Sequence, residues 1–370
     1  MDLNRLREQM AAEQLDAVVA VTPENFFYST GAYVVTQKII RERLALAVFP
    51  ASGDPVVIVC SIEESLAREQ SRFPDVRSYV EFAMSPIDLL VDVLKERGLT
   101  RGRVGMETHY LSWHYSDELR RKAPQAEFRE CRDVFYELRM YKQPHEAAVL
   151  ERAALATAES VKTAMRSARP GDTERSLAIR MRQELLGTGA DELAFLVLGT
   201  GRRSSITHPI PSDVPLGQGD VIKLDIGGVY DGYFSDLART YGFGRRDQRK
   251  HDTYRRLAEI HRSVIEQIKP GVRFCDVYTF CKQQFDLQGL RFTMPHIGHS
   301  LGVELHEHPI LEPACTRTID EGMILNIEPI FTDPADGSGY HIEDLVQVTR
   351  EGRRVLTGSD LSTEMQWYGN

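Results

Sequence analysis

VIKLDIGGVYDGYFSDLARTYGF, residues 221–243, reads as a β-hairpin with an acid on each arm. Residues 221–229 are apolar enough for a buried strand, Tyr230-Asp231-Gly232 is a turn signal, and 233–243 resumes as a second strand. A two-residue loop at 230–231 would put Asp225 directly opposite Asp236, and one at 231–232 would make them diagonal neighbours. Both registers set the two carboxylates on one face, whereas a three-residue loop would send them to opposite faces. An unpaired aspartate facing into an apolar sheet is costly to bury, and a cation removes that cost by supplying the countercharge.

Three more residues of metal-ligand type follow: His299 in PHIGHSLGVELHEHP (295–309), Glu328 in ILNIEPIF (324–331) and Glu343 in GYHIEDLVQVT (339–349). Four carboxylates and one imidazole suit a pair of divalent cations such as manganese, cobalt, zinc or iron, able to activate a shared water for hydrolysis. Singly, each acid has a structural explanation. Asp236 after Ser235 could cap a helix, and Glu343-Asp344 could be solvated edge charge.

Taken together, these segments resemble the signature of the pita-bread metallopeptidases, the family of methionine aminopeptidase, aminopeptidase P, prolidase and creatinase. The intervals match the prolidase pattern: 11 positions from Asp225 to Asp236, 29 from His299 to Glu328, and 15 from Glu328 to Glu343. The resemblance implies that Asp225 chelates one ion, His299 and Glu328 hold the other, and Asp236 and Glu343 bridge. It also implies a bridging hydroxide as nucleophile, with Glu328 passing the proton to the leaving nitrogen. His208, in the loop GTGRRSSITHP, and His306, seven positions after His299, match the family's two substrate-side histidines. Both would donate to the scissile carbonyl or the developing oxyanion.

The resemblance also marks two departures. His341 stands where the prolidase group usually has an arginine that helps hold substrate, and Ile310 stands where many prolidases have another. Arginine's bidentate fork on a carboxylate is not replaced by isoleucine and only partly by histidine. The expected activity is cleavage of an amide bond in a small peptide, Xaa-Pro-directed in the manner of aminopeptidase P or prolidase, with His341 on the substrate. The alternatives are a hydrolase or lyase for a small non-peptide amide or zwitterion (ectoine hydrolase-, creatinase- or dimethylsulfoniopropionate lyase-like) and a non-catalytic binding protein. Retention of all five ligands argues against the last.

Composition fits a cytoplasmic enzyme. The 45 basic and 54 acidic residues give a net charge of −9, which argues against a nucleic-acid partner. No apolar run is long enough to span a membrane, and the start, MDLNRLREQMAAEQLD, is charged and amphipathic rather than a signal peptide. Five cysteines without CxxC spacing read as reduced thiols.

The expected fold class is α/β (α+β) in two domains: residues 1–135 a creatinase/prolidase-type α/β domain, and 136–370 a pita-bread catalytic domain. In the first, 3–13 and 87–97 read as helices, and 16–21 and 104–106 as strands. Residues 44–49 and 55–60 form a hairpin. The aromatic stretch NFFYSTGAY (25–33) reads either as a core strand or as part of a dimer rim, since the resemblance implies a homodimer. Pro144 opens a long helix, 173–186 follows the Pro170-Gly171 break as a second, and 192–198 is a strand. Helices at 251–268 and 275–287 flank Pro270-Gly271. The internal pseudo-two-fold of the pita-bread domain is not evident in the sequence.

Overall fold

The structure is a computed structural model that describes residues 1–358 and 363–369. The chain forms two compact units, Met1–Arg139 and Met140–Asn370.

In the first unit the apolar runs build a six-stranded mixed sheet. Its order is Val76–Tyr79, Val56–Cys60, Leu46–Pro50, Ala17–Ala20, Arg103–Met106 and Glu127–Glu130. The hairpin of Leu46–Pro50 and Val56–Cys60 is antiparallel, as its turn residues predict. The helix Pro86–Glu96 starts at a Ser85 cap followed by proline and buries Ile87, Leu90 and Leu94. The aromatic stretch is a correction to the core-strand reading. Residues Pro23–Thr30 are helical, because the Thr22 side chain accepts from Asn25 N, Pro23 takes the first turn, and Gly31 closes the helix at φ 86°. Glu107, fully buried, accepts from Val21 N, Thr22 N and the side chains of Thr22 and Asn25, and so pins the start of that helix.

The second unit repeats one order of elements twice. Helices Pro144–Arg166 and Glu174–Gly187, joined through Pro170-Gly171, pack on a sheet ordered Trp367–Tyr368, Leu237–Phe243, Val221–Tyr230, Glu192–Thr200. Val161, Met165, Met181, Leu198, Leu224 and Ile226 share that core. Helices Gln248–Ile265 and Phe274–Leu287, joined through Pro270-Gly271, pack on a second sheet. Its order is Glu307–Ile310, Gly298–Ser300, Ile324–Ile327, Asp344–Thr349, Gly352–Val355. Leu257, Val264, Phe285, Leu325 and Ile327 belong to that core. Each Pro-Gly turn holds its glycine in the left-handed region, at 93° and 87°, and leads into an isolated bridge, Thr173↔Pro215 and Arg273↔Thr318. The duplication hidden from the sequence is thus visible in these matching turns.

The hairpin register settles the geometry left open above. Tyr230 pairs with Tyr233 and Asp225 with Ala238, so the loop is Asp231-Gly232. Both loop residues have positive φ, 49° and 80°, as a type I′ turn requires. Asp225 and Asp236 are therefore diagonal neighbours on one face. Gly227 permits the close approach of the arms, since a Cβ there would lie 2.2 Å from Ser235 O.

Candidate metal centre

Two ladders bring the five ligand-type residues together. In the second sheet His299 pairs with Asn326, and Ile327 pairs with Asp344. One step past that last pair, the same register sets Glu328 opposite Glu343. The backbone N–H of Glu343 donates to Ala238 O (3.1 Å), and Ala238 is the residue paired with Asp225. Arg239 reinforces the junction by donating to the carbonyls of Ala238 and Glu343 and to the Asp344 carboxylate. The sheet that carries Asp225 and Asp236 is thereby stitched to the one that carries Glu328 and His299.

Ligand atoms lie within 4.8 Å of one another in three overlapping groups: Asp225, Asp236 and Glu343; His299, Glu328 and Glu343; and Asp236, His299 and His306. Asp236 and Glu343 each join a group containing Asp225 to a group containing His299. His299 Nε2 stands 3.6 Å from both Asp236 Oδ2 and Glu328 Oε1. Its Nδ1 lies 2.9 Å from Ser300 O, so the tautomer assigned by that contact carries its proton on Nδ1 and leaves an Nε2 lone pair aimed at the acids.

The polar atoms of this arrangement are suited to a cation. Asp225 Oδ1, Asp236 Oδ1, Glu328 Oε1, both Glu343 oxygens and His299 Nε2 are buried without a hydrogen-bond partner. Uncompensated carboxylates cost several kcal/mol each to bury. Burial first, and the neighbouring carboxylates second, push Asp236 and Glu343 well above the usual carboxylate range. Asp225 is raised chiefly by burial. Burial lowers His299 to about 4, leaving it neutral and fit to coordinate at neutral pH. The donor set fits two divalent cations.

These shifts give a pH signature. A carboxylate whose folded pKa is raised stays protonated in the native state after the unfolded chain has lost its proton, so stability falls as pH rises. His299 acts in the opposite sense, but only between about 4 and its ordinary 6.5. Lys223, lowered to about 8 by burial, opposes only above that value. Between roughly pH 6.5 and 8 the melting temperature of metal-free protein should therefore decline, and saturating Mn²⁺ should reduce the slope to the share of Glu107, whose carboxyl is also raised by burial. A flat profile without metal would count against a protonated cluster.

The surrounding histidines are placed unequally. His306 is exposed, with its ring stacked on His299 at 3.8 Å and 17°. His208 is exposed in the loop after residues 201–205, and Lys223 Nζ holds that loop by donating to Ile206 O and Thr207 O. The sequence reading put His341 on the substrate. The structure buries it, with both ring nitrogens facing carboxylates, Asp225 and Glu328. Ile310 pairs with His299 across the ladder.

Two contributors were missed. His296 sets Nδ1 3.3 Å from Glu328 Oε1, and its place three residues before His299 was the available signal. Lys142, fully buried, donates to Ser300 Oγ (2.8 Å) and Glu307 Oε2 (2.9 Å), neighbours in sequence of His299 and His306. Nothing local in RMYKQP pointed to that contact.

Residues 148–350 match the model of metallopeptidase family M24, and residues 3–141 match the Creatinase/Prolidase N-terminal domain. The chain belongs to metallopeptidase family M24. It is a metal-dependent hydrolase with the two-domain α/β architecture expected from its sequence. An Xaa-Pro dipeptidase of Pyrococcus furiosus is 27% identical over 97% of this chain and 98% of its own length. A putative dipeptidase of Bacillus subtilis is 28% identical over 91% and 92%. Among solved structures, the prolidase of Pyrococcus horikoshii superposes with a TM-score of 0.85 at 25% identity, covering 97% of this chain and 98% of that one. An Xaa-Pro dipeptidase of Bacillus anthracis reaches 0.88 at 23% identity, covering 99% and 98%, and supports the fold. Among the described residues no helix is long and apolar enough to cross a membrane.

Proposed function

We propose that this M24 chain is a dinuclear metallopeptidase that cleaves Xaa-Pro bonds in small peptides. The observation that carries the reading is the buried set Asp225, Asp236, His299, Glu328 and Glu343, each of which turns at least one atom without a hydrogen-bond partner into the cluster. Asp236 and Glu343 would hold both ions, Asp225 one, and His299 with Glu328 the other. When bound, such a pair supplies Lewis-acid activation of water and of the scissile carbonyl. Glu328 takes the proton of the attacking water and delivers it to the leaving nitrogen. Burial opposes its ionisation, but the imidazoles around it, His296, His341 and His299, hold that carboxylate below its ordinary pKa and keep it ionised. His306 and His208, both exposed, donate to the carbonyl oxygen as charge develops on it. The names of the relatives support a proline-directed substrate.

His306→Ala should leave metal content unchanged and lower turnover by about 10²–10³, the loss expected for one transition-state donor. Loss of metal instead would make His306 a ligand.

The carboxylate grip on a dipeptide is where this chain departs from the prolidase pattern. Arg203 is committed to buried Glu174 (3.0 Å) and Ile210 O, and Ile310 offers no charge. This favours substrates extended beyond the proline. The experiment is a panel of Xaa-Pro dipeptides, Xaa-Pro-Yaa tripeptides and small zwitterionic amides on the metal-reconstituted enzyme. Tripeptides should lead dipeptides in kcat/KM by about thirty- to a hundred-fold, the worth of a lost charge-assisted contact. Dipeptides hydrolysed as fast as tripeptides would remove the specificity argument. Hydrolysis of the amides alone would replace the peptidase reading.

A cytoplasmic homodimer completes the proposal. Light scattering at micromolar concentration should give twice the chain mass, and a monomer would refute it.

A further inference from the structure

Glu328 is bracketed by two imidazoles. His299 Nε2 lies 3.6 Å from its Oε1, and His341 Nε2 lies 3.6 Å from its Oε2. His341 shares two features with His299. It is 4% exposed, and its Nε2 is buried without a hydrogen-bond partner. Its Nδ1 is 3.9 Å from Asp225 Oδ2. Its backbone is fixed on both sides by one hydroxyl: the His341 N–H donates to Thr240 Oγ1 (2.8 Å), and the same hydroxyl donates to His341 O (3.0 Å). The backbone of His341 is thereby tied to the strand Leu237–Phe243, the partner of the strand that carries Asp225.

The distances discriminate between an acid's hydrogen-bond partner and its fellow ligand. A hydrogen bond from imidazole to carboxylate runs at about 2.7–3.2 Å. Two donors held at roughly 2.1 Å from one ion stand about 3.0–3.5 Å apart, and somewhat more in an open geometry. Both His341 contacts lie beyond hydrogen-bond length, and the Nε2–Oε2 contact at 3.6 Å matches those of His299 and lies near the second spacing. Carboxylates alone would favour manganese or magnesium, whereas each added imidazole shifts preference toward zinc, iron and cobalt.

We propose that His341, through Nε2, is a sixth protein ligand of the metal centre, and that this second imidazole tilts the centre from manganese toward cobalt, zinc or iron. The proposal rests on the dinuclear reading above. It assigns to a buried ring a role that the substrate does not need to reach.

The test uses Mn²⁺ and Co²⁺ themselves, titrated into the metal-free protein in competition with a chelating dye. His341→Ala and His341→Leu should each lose at least about tenfold more affinity for Co²⁺ than for Mn²⁺. Pulsed electron paramagnetic resonance of the Mn²⁺-loaded protein should show two coupled imidazole nitrogens in wild type and one in His341→Ala. His306→Ala guards against that exposed ring supplying the second nitrogen, and against failure of the His341 variants to fold: it must retain two. Equal losses for the two metals with unchanged nitrogen coupling, or a single nitrogen in His306→Ala, would make His341 an orienting neighbour of Glu328 and overturn the proposal while the dinuclear centre stands. Wild-type protein that binds neither metal would overturn both.

Discussion

Asp236→Ala protein should emerge from purification with little bound metal and no measurable peptidase turnover. Its carboxylate stands in two of the three ligand groups, with Asp225 and Glu343 on one side and with His299 and His306 on the other. Removing it leaves two divalent cations with three carboxylates and strips a shared donor from both. Even changes to residues that only orient ligands cost about 10–100-fold in metal affinity, so loss of a bridging donor should exceed that range. Elemental analysis against wild type reads the effect directly. Full occupancy with normal turnover would end the assignment of Asp236 as a bridge. The variant should nonetheless fold, because the metal-free protein sheds one buried acid whose charged form is penalised first by burial.

Lys142→Ala should destabilise the catalytic unit by about 3–5 kcal/mol, the range for breaking a buried pair from one side. Lys142 and Glu307 side chains are both 2% exposed, so the surviving carboxylate would have no solvent to turn to. Glu307 also accepts from the backbone N–H groups of Val303 and Glu304, and therefore organises the loop that ends in His306. Chemical denaturation should report the stability loss, with turnover falling while metal stays bound. A change under about 1 kcal/mol, the level of an exposed pair, would show that water reaches Glu307. Replacing both partners together, Lys142→Met with Glu307→Gln, should recover much of the stability and little of the turnover.

The convergence of the five ligand-type residues was legible because each sits in an apolar strand or at its end, where a lone acid is otherwise unfavourable. The sequence narrowed the hairpin to two two-residue loops that share a face and one three-residue loop that does not, and the structure selects 231–232. Helix starts at Pro144 and Thr173 were set by local chemistry, through proline in the first turn and a side-chain cap. What escaped was long-range. The helix at Pro23–Thr30 looked like a strand because its aromatic residues are strand formers, and its stabilising acid, Glu107, is some eighty positions away. His341 was read through a family position, whereas its burial depends on Thr240, 101 residues earlier. Lys142 lies 165 residues from Glu307. No window of sequence contains both partners of any of these contacts.

The Asp231-Gly232 turn bears on how this protein can change over generations. A solvent-facing β-turn is ordinarily where chains absorb insertions and deletions. Here one added residue would rotate every side chain beyond it to the reverse face and carry Asp236 away from Asp225. The tip of the hairpin is thus open to substitution within the bounds of positive φ but closed to a change of length that slips the strands by one residue. Among variants of this chain, length differences should gather in other loops and leave the eleven-position interval between the two aspartates intact.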